Sequence, residues 1–353
     1  MTSPLLAHFD EQARACESMG SPFTARLIER LGRDLEHGGP VADLVADWSG
    51  HPRADAVALR LTGALHAAVL GARDPDLVAA YPAIGRHGQI DAAWPAARDW
   101  LARERDWVAA FLQSPPQTNE VRRSIVLLAG FLAAAEVFRC PFETLELGAS
   151  AGLNVSWDRF AYRTDGWSWN PGGEVFIDTD WQGPPPPTQA PLEVRARAAC
   201  DQSPLDLSDP AQRLRLKSYI WPDQLERLAR FDAAADVAVA RGVHVDRADA
   251  AVWLAERLGS RPRDAGAVVY HSVFLQYPTR ETRRSIRETI ERAGTAADAR
   301  APLAWLRFEP EAMLGGPRDS SRLFVDLITW PGGARRVLLE TDGHARWVRA
   351  AGG

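Results

Sequence analysis

The chain has 353 residues, of which 46% are hydrophobic and 25% are charged. This balance is typical of a globular protein with a buried core, and it excludes global disorder. The formal net charge of −5 gives no electrostatic reason to expect nucleic acid or an anionic membrane as a partner.

The three cysteines, Cys16, Cys140 and Cys200, lie far apart and form no C-x-x-C pair. The first twenty residues lack the basic and apolar segments of a signal peptide. No apolar run approaches the length of about 20 residues that a membrane-spanning helix needs. We therefore expect a cytoplasmic protein without a membrane span. The scattered histidines show no metal-ligand spacing, so no metal site is expected.

Residues 1–138 show helical periodicity and almost no strand pattern. Apolar residues recur at four-residue steps in 53–74, and the segments 91–113 and 118–138 are also patterned as helices. The glycine-containing segment 81–88 interrupts them as a loop. The pattern predicts an all-α N-terminal domain of about five to seven helices, which would act as a lid over the next domain.

From residue 139 to residue 353, short apolar segments alternate with helical ones. Strands are predicted at FETLELGA, EVRARAAC, GVHV, AVVYHSVF and APLAWLRF, followed by a final pair at RLFVDLITW and RRVLLE. Alternation of this kind favours an α/β fold with a doubly wound, mostly parallel sheet that helices cover on both faces. A Trp-, Gly- and Pro-rich insertion lies at about residues 160–191.

The stretch LELGASAGLNVSWDRF, residues 145–160, has two interpretations. Residues 148–152 spell G-x-S-x-G, the strand-to-helix turn that exposes a serine nucleophile in α/β-hydrolases, with Ser150 as the nucleophile. From Glu146, the same letters spell E-x-G-x-x-x-G-x-N. That is the glycine-rich turn with which a methyltransferase that uses S-adenosylmethionine opens its nucleotide site.

The hydrolase interpretation requires several strands before the turn, but the residues before Phe142 are patterned as helices. Its triad would consist of Ser150, either Asp246 or Asp249, and His344. His344 lies in a turn between two apolar stretches, which favours a surface histidine. The cofactor turn is therefore the preferred interpretation.

In the cofactor interpretation, the glycines let the backbone approach a ligand closely. A helix is expected after the turn, and its N-terminus would face the methionine carboxylate. Glu146 would accept hydrogen bonds from the ammonium group, and Asn154 would be a first-turn donor or a cap. The cofactor-binding residues predicted in the turn are Glu146, Gly148, Ala149, Ser150, Gly152 and Asn154.

Acidic residues after the next two strands complete the predicted nucleotide site. Asp201 follows EVRARAAC, where a second strand would present an acid to a ribose. Because the insertion lengthens the gap from the turn, Asp178 or Asp180 could take this role instead. Asp249 and Ala250 follow the third strand, where an acid would face the adenine amino group. The alternative for Asp249 is a helix N-cap.

Two residues at the fourth strand are candidate bases for the acceptor. His271 lies within the strand, and Tyr277 follows its end. The alternative for His271 is a core histidine whose hydrogen bonds are satisfied inside the protein.

The combination of QTNEVRRS, LELGASAGLN, DRFAY, CDQSPLDL, WPDQLERLAR, YHSVFLQY and WPGG resembles a bacterial family known as domain of unknown function 2332. The resemblance covers nearly the whole chain. It implies a methyltransferase-like Rossmann domain, residues 139–353, behind a helical region, residues 1–138. It also marks further polar motif residues, which are assigned to substrate binding: Asn119, Arg159, Trp221, Asp223 and Gln224. Tyr270 in YHSVF departs from the hydrophobic residue expected there.

Together these observations predict an S-adenosylmethionine-dependent methyltransferase. Its sheet would be of the S-adenosylmethionine-methyltransferase type, and its acceptor would be a small molecule held between the helical domain and the sheet. The alternative is a non-catalytic Rossmann-like nucleotide-binding module.

Overall fold

The computed structural model describes residues 3–351. The chain forms two compact units. The first runs up to Thr118 and also includes Asp206–Ala229, and the second consists of Asn119–Leu205 and the chain from Arg230 onward. The sequence pattern had suggested one division, at residue 138. The chain instead enters the second unit at Asn119 and returns once to the first.

The described residues contain twelve α-helices. They are α1 (Pro4–Ser18), α2 (Pro22–Glu36), α3 (Pro40–Val45), α4 (Val57–Leu70), α5 (Pro75–Ala80), α6 (Ile90–Arg103), α7 (Arg105–Leu112), α8 (Ser124–Phe138), α9 (Pro210–Ser218), α10 (Leu225–Ala240), α11 (Ala250–Gly259) and α12 (Arg280–Thr295). None of the helices within residues 3–351 is long and apolar enough to cross a membrane.

The first unit is a helical bundle in which α4 is almost entirely buried. Up to residue 138 there are eight helices rather than about five to seven, partly because one predicted helix at 91–113 divides at Glu104 into α6 and α7. The returning segment packs directly on α4. A Cβ on Gly63 would lie 2.6 Å from the Tyr219 ring, and His66 Nδ1 lies 3.1 Å from Ser218 O. Close approach at Gly63 therefore helps to fix residues 206–229 in this unit.

The second unit is built on a nine-stranded sheet and a separate three-stranded sheet. The strands are β1 (Phe142–Leu147), β2 (Phe160–Arg163), β3 (Ser168–Trp169), β4 (Val175–Asp178), β5 (Asp180–Gln182), β6 (Val194–Asp201), β7 (Asp246–Arg247), β8 (Gly266–Ser272), β9 (Leu303–Pro310), β10 (Leu323–Trp330), β11 (Ala334–Thr341) and β12 (Trp347–Ala350).

The large sheet has the order β5-β12-β11-β10-β9-β8-β1-β6-β7, and the small one has the order β3-β2-β4. The block β7-β6-β1-β8-β9 is parallel throughout. The strands β9, β10, β11 and β12 continue it as an antiparallel meander, and β5 pairs with β12 in parallel. The prediction of a mixed α/β fold with a large, mostly parallel sheet is confirmed, and the strand order is Rossmann-like.

Helices cover both faces of the parallel block. Helix α8 packs on one face, where Gly130 lacks the side chain that would meet Leu306 of β9 at 2.2 Å. Helices α11 and α12 pack on the other face, in a core that includes Leu145 of β1 and Val269 of β8. Since adjacent residues of a strand point to opposite faces, the side chains of Glu146 and Tyr270 lie on the α8 face.

The prediction of a helix directly after the glycine turn is wrong. Residues 153–156 form turns, and Trp157–Arg159 form a short 3₁₀ helix that leads into β2. Trp157 is fully buried, and its ring stacks on Phe131 of α8 at a centroid distance of 4.1 Å. The residues expected to form a helix are instead packed against α8, which precedes β1 in the chain. The first crossover of the sheet is thus made by the Trp-rich insertion.

A buried ion pair joins β9 and β10. Arg307 donates from Nε and Nη2 to the two carboxylate oxygens of Asp326, at 2.7 and 2.6 Å. Arg335 of β11 also donates from Nε to Asp326, at 2.6 Å. The Asp326 side chain is fully buried, so water cannot solvate its charge. The two guanidinium groups compensate this charge instead.

Candidate functional site

The candidate site lies where the order of the parallel strands reverses. From β1 the chain proceeds to β6 and β7 on one side, and then to β8 and β9 on the other. In open α/β sheets, ligands bind outside the carboxyl ends of the strands at such a point. Four predicted site features lie at this edge, one for each of four strands. The glycine turn follows β1, Asp201 ends β6, Asp249 follows β7, and Tyr277 follows β8. His271 lies within β8, near its end.

The glycine turn has a left-handed backbone at three positions: Gly148 (φ 69°), Ser150 (φ 55°) and Gly152 (φ 73°). The backbone N–H groups of Gly148 and Ala149 both donate to Cys200 O of β6, at 2.9 and 3.1 Å. The turn is therefore bound to the neighbouring strand through its backbone.

Asn119 and Asn154 brace the turn from outside. Asn119 donates from Nδ2 to Ala149 O at 2.8 Å, and Asn154 donates to Asn119 Oδ1 at 3.3 Å and to Glu120 O at 3.2 Å. Asn154 does not cap a helix, because no α-helix follows the turn and the N-cap residue of the short 3₁₀ helix is Ser156. Both asparagines, predicted to bind substrate and cofactor respectively, shape the turn in this structure.

Asp201 is the acid that ends the strand next to β1. Its Oδ2 accepts from the N–H of Ser150 at 2.8 Å, and its Oδ1 accepts from the N–H of Ser203 at 2.8 Å. The rival acids lie elsewhere, since Asp178 ends β4 in the small sheet and Asp180 begins β5. Of the three, Asp201 has the position expected of a ribose ligand.

Asp249 caps helix α11, whose first residue is Ala250. Its Oδ1 accepts from the N–H groups of Ala251 and Val252, at 2.9 and 3.2 Å. The N-cap alternative for this residue is therefore confirmed. A role for the same carboxylate in binding adenine stays a prediction.

Glu146 is buried on the α8 face, and its Oε2 accepts from the hydroxyl of Tyr270 at 2.9 Å. Burial raises the pKa of the Glu146 carboxyl to about 7, the Tyr270 hydrogen bond opposes this rise, and the charge of Asp201 adds to it. The carboxyl therefore changes its charge near neutral pH. The hydrogen bond also explains why Tyr270 stands where a hydrophobic residue was expected.

His271 is fully buried, and both of its ring nitrogens are bonded. Trp305 donates from Nε1 to His271 Nε2 at 3.1 Å, so the imidazole proton lies on Nδ1. Nδ1 donates to Glu309 Oε1 at 2.6 Å. His271 therefore has no nitrogen with which to accept a proton from an acceptor, and the prediction of a catalytic base at this position finds no support. The core-histidine alternative accounts for the contacts.

The loop after β8 lies over the glycine turn. Phe274 Cδ2 is 2.3 Å from the point where a Cβ of Gly148 would be. Val273, immediately before it, has a left-handed backbone with φ 54°. Tyr277, the other predicted base, is 75% exposed at the far end of the loop. Sequence patterns did not reveal Phe274 or Glu309, although an acid ending the apolar stretch APLAWLRFEP was a local sign of a buried role.

The motif residues Trp221, Asp223 and Gln224 belong to the first unit. Trp221 is part of its hydrophobic core. Asp223 accepts from the hydroxyl of Ser21 and, at 3.0 Å, from the N–H of Phe23 at the start of α2. Gln224 donates to Met19 O at 3.4 Å. These contacts explain the motif WPDQ by packing and capping, without reference to a substrate.

Arg159 ends the short 3₁₀ helix before β2. Its Nε lies 3.9 Å from Asp158 Oδ2, and its side chain is half exposed. These contacts are those of a surface ion pair, and a substrate-binding role for Arg159 stays a prediction.

The arrangement around Ser150 does not meet the requirements of a hydrolase. Within residues 3–141 the structure has helices and turns, with a single isolated bridge between Ala83 and Arg86, so no strands precede β1 there. The Ser150 Oγ is buried and has no hydrogen-bond partner among the described residues. Asp246 is bonded to Trp253 and Arg257 instead, both at 2.7 Å.

A cleft of about 500 Å³ lies in the second unit beside the small sheet. Three guanidinium groups and three carboxylates line it, those of Arg122, Arg163, Arg346, Asp165, Asp178 and Asp180. Phe176 adds a half-exposed ring, and the Arg163 guanidinium lies 5.0 Å from its centroid. Ligand pockets commonly have volumes of this order. The lining residues come from distant segments, so no local pattern predicted the cleft.

A family model described as "Uncharacterized protein conserved in bacteria (DUF2332)" matches residues 7–350. No curated protein and no solved structure was found to match the chain significantly.

Proposed function

The chain belongs to this bacterial family, DUF2332, and we propose that it is a methyltransferase that uses S-adenosylmethionine and acts on a small molecule. One observation carries the proposal. The central strand β1 ends in a glycine turn at the point where the strand order reverses, and the adjacent strand β6 ends in an acid, Asp201. This combination is characteristic of folds that bind adenosine nucleotides.

The chemistry of the surrounding groups fits this cofactor. Asp201 and Asp249 offer carboxylate oxygens to ribose hydroxyls and to an adenine amino group, respectively. Glu146 offers a carboxylate to an ammonium group once it is ionised. The buried Ser150 Oγ, which has no partner among the described residues, is a hydrogen-bonding group that a ligand at the turn would satisfy.

When bound, S-adenosylmethionine supplies a methyl group activated by a sulfonium. The residues of the chain would then contribute mainly by positioning the acceptor and by excluding water. Because both nitrogens of His271 are bonded, Tyr277 is the remaining candidate base of the two predicted from sequence.

We place the acceptor in the cleft that Arg122 lines. The segment 119–123 connects this cleft to the turn. Asn119 donates to Ala149 O in the turn, and Arg123 Nη1 lies 3.4 Å from Ser272 O at the end of β8. Since three residue steps span at most roughly 11 Å, the backbone at Arg122 is close enough to the turn for a small acceptor to reach both.

A second candidate function is a nucleotide-binding module that transfers no methyl group. The bonding of His271 to Glu309 and Trp305 favours this alternative, because it removes one of the two predicted bases from reach of an acceptor.

Isothermal titration of the full chain with S-adenosylmethionine, S-adenosylhomocysteine and AMP tests these proposals. A transferase is expected to bind the first two and to discriminate against AMP, whereas a general nucleotide module is expected to bind AMP comparably. Asp201→Asn is expected to weaken binding at least tenfold. Asp180→Asn is the matched control, since it makes the same change at a rival acid, and it should leave cofactor affinity unchanged. Failure of both adenosyl compounds to bind at millimolar concentration would exclude the proposed function.

A further inference from the structure

We infer that Phe274 controls ligand access to the glycine turn, and that Glu309 is the positioning residue that holds Phe274 there. The inference rests on the proposed nucleotide site, and it concerns how that site opens. Three independent features of the loop after β8 support it: the position of a ring, a strained residue, and a buried carboxylate with unequal hydrogen bonding.

The ring occupies the space in front of Gly148. Besides Cδ2 at 2.3 Å, the Phe274 atoms Cγ and Cε2 both lie 3.0 Å from the position of a Cβ at Gly148. The whole edge of the ring, and not only a flexible tip, thus lies against the backbone of the turn. Phe274 also packs against the core between the sheet and helices α11 and α12. A ligand that approaches the backbone of Gly148 from this side must therefore displace the ring.

The residue before the ring is strained. A left-handed backbone is unfavourable for a β-branched side chain, and such strain persists only where the surroundings impose it. At Val273 the constraint begins with its N–H, which donates to Phe308 O at 2.7 Å. Release of the loop would relieve this strain, so Val273 is placed to act as a hinge.

Glu309 supplies the remaining constraint. Its Oε1 accepts from the N–H groups of Phe274 and Leu275, at 2.8 and 3.1 Å, and from His271 Nδ1 at 2.6 Å. Its Oε2 is buried and has no partner within residues 3–351. One oxygen of Glu309 thus holds the loop closed through two backbone hydrogen bonds. The other oxygen lacks a hydrogen bond that water would supply if the loop opened.

Substitutions should therefore shift the equilibrium between the closed and open forms of the loop in either direction. Phe274→Ala removes the obstruction. Val273→Gly removes the strain of the closed form, because glycine adopts a left-handed backbone freely. The first substitution should favour ligand entry, and the second should oppose it.

The test begins with the ligand-free full chain. Hydrogen exchange of the Phe274 and Leu275 amides is expected to slow at least threefold in Val273→Gly. The same exchange is expected to accelerate at least threefold in Glu309→Gln. Glu340→Gln, a change at an ion pair with Arg322, is the control. It should leave the exchange of the Phe274 and Leu275 amides unchanged. Unchanged protection in both loop variants would overturn the inference, whatever the ligand.

The second part is titration with S-adenosylhomocysteine. Phe274→Ala should bind at least fivefold more tightly than the unmodified chain, and Val273→Gly at least threefold more weakly. Trp94→Ala, which removes a partly buried ring from α6 in the first unit, should leave the affinity unchanged. Equal affinity for all variants would refute the role of Phe274 while leaving the proposed function intact. Absence of binding in every variant, together with the expected exchange rates, would refute the proposed function and retain the loop.

Discussion

Replacing Glu146 by glutamine should change how the stability of the protein depends on pH. Burial raises the pKa of this carboxyl in the folded chain from its ordinary 4.5 to about 7. Between these pH values the unfolded chain has released the proton while the folded chain keeps it. Rising pH therefore favours the unfolded chain, so the contribution of Glu146 is full below pH 4.5 and is lost as pH rises through 7.

The size of the effect follows from the two pKa values. At 1.36 kcal/mol per pH unit, the interval from 4.5 to about 7 corresponds to a loss of about 3 kcal/mol. Because the carboxyl is fully buried, solvent screening does not reduce this figure much. Glu146→Gln cannot ionise and keeps an oxygen that can accept from the hydroxyl of Tyr270. The free energy of unfolding of Glu146→Gln should therefore not fall by this amount as the pH rises.

Urea unfolding at pH 5, 6, 7 and 8, followed by tryptophan fluorescence, measures the effect. The free energy of unfolding of the unmodified chain, relative to Glu146→Gln, should fall by about 2.5 kcal/mol over this range, because part of the loss occurs below pH 5. Tyr270→Phe removes a bond that lowers the pKa of Glu146, so it should move the fall to higher pH. A constant difference between the unmodified chain and Glu146→Gln at all four values would refute the argument that this carboxyl is held neutral by burial.

The other predictions concern ligand binding and single contacts. S-adenosylhomocysteine should bind more tightly at pH 8 than at pH 6, because Glu146 ionises between them, and calorimetry of Glu146→Gln should show a flat profile. Asp249→Ala should cost about 1 kcal/mol in urea unfolding through loss of an N-cap, whereas Asp249→Asn should cost only a few tenths. Asp326→Ala leaves Arg307 uncompensated and should cost about 3–5 kcal/mol in the same assay. Asp223→Ala should destabilise by about 1–3 kcal/mol because a hydroxyl and an amide at the start of α2 lose their acceptor; no measurable change would contradict the capping role.

Local patterns in the sequence sufficed for four of the five parallel strands. The fifth was predicted too early, at GVHV, whereas the structure has β7 at Asp246–Arg247. The run AVVYHSVF is apolar because β8 is buried between β1 and β9, and such burial leaves a direct mark on composition. The alternation of strands and helices, and the final antiparallel strands, were predictable for the same reason. Each of these elements is specified mainly by its own residues.

Features that depend on distant contacts were not predictable in this way. Helix α8 is apolar all round, which shows that it is buried but not which unit buries it. The return of 206–229 to the first unit depends on the fit between Tyr219 and Gly63, a contact that no local pattern reveals. The missing helix after the turn is a third case, because Phe131 covers Trp157 from another element.

The candidate site shows the same division. The glycine turn and Asp201 were predictable, since backbone geometry and strand ends restrict the residue types allowed there. The bonding of His271 was not, because it depends on a carboxylate and an indole contributed by β9. A histidine in an apolar strand has the same local sequence whether its nitrogens are free or bonded.

The pairing of β5 with β12 has a consequence for how the protein is made. Asp180 of β5 pairs with Trp347 of β12. The strand β5 therefore has no partner in the large sheet until the ribosome has synthesised residue 347. During that interval the backbone N–H and C=O groups of β5 have no partner strand. Unpaired strand edges of this kind promote aggregation between chains. The charged side chains around this edge, among them Asp180 and Arg349, suit a strand that must wait in water for its neighbour. Nascent chains stalled before residue 347 should consequently be the aggregation-prone species of this protein.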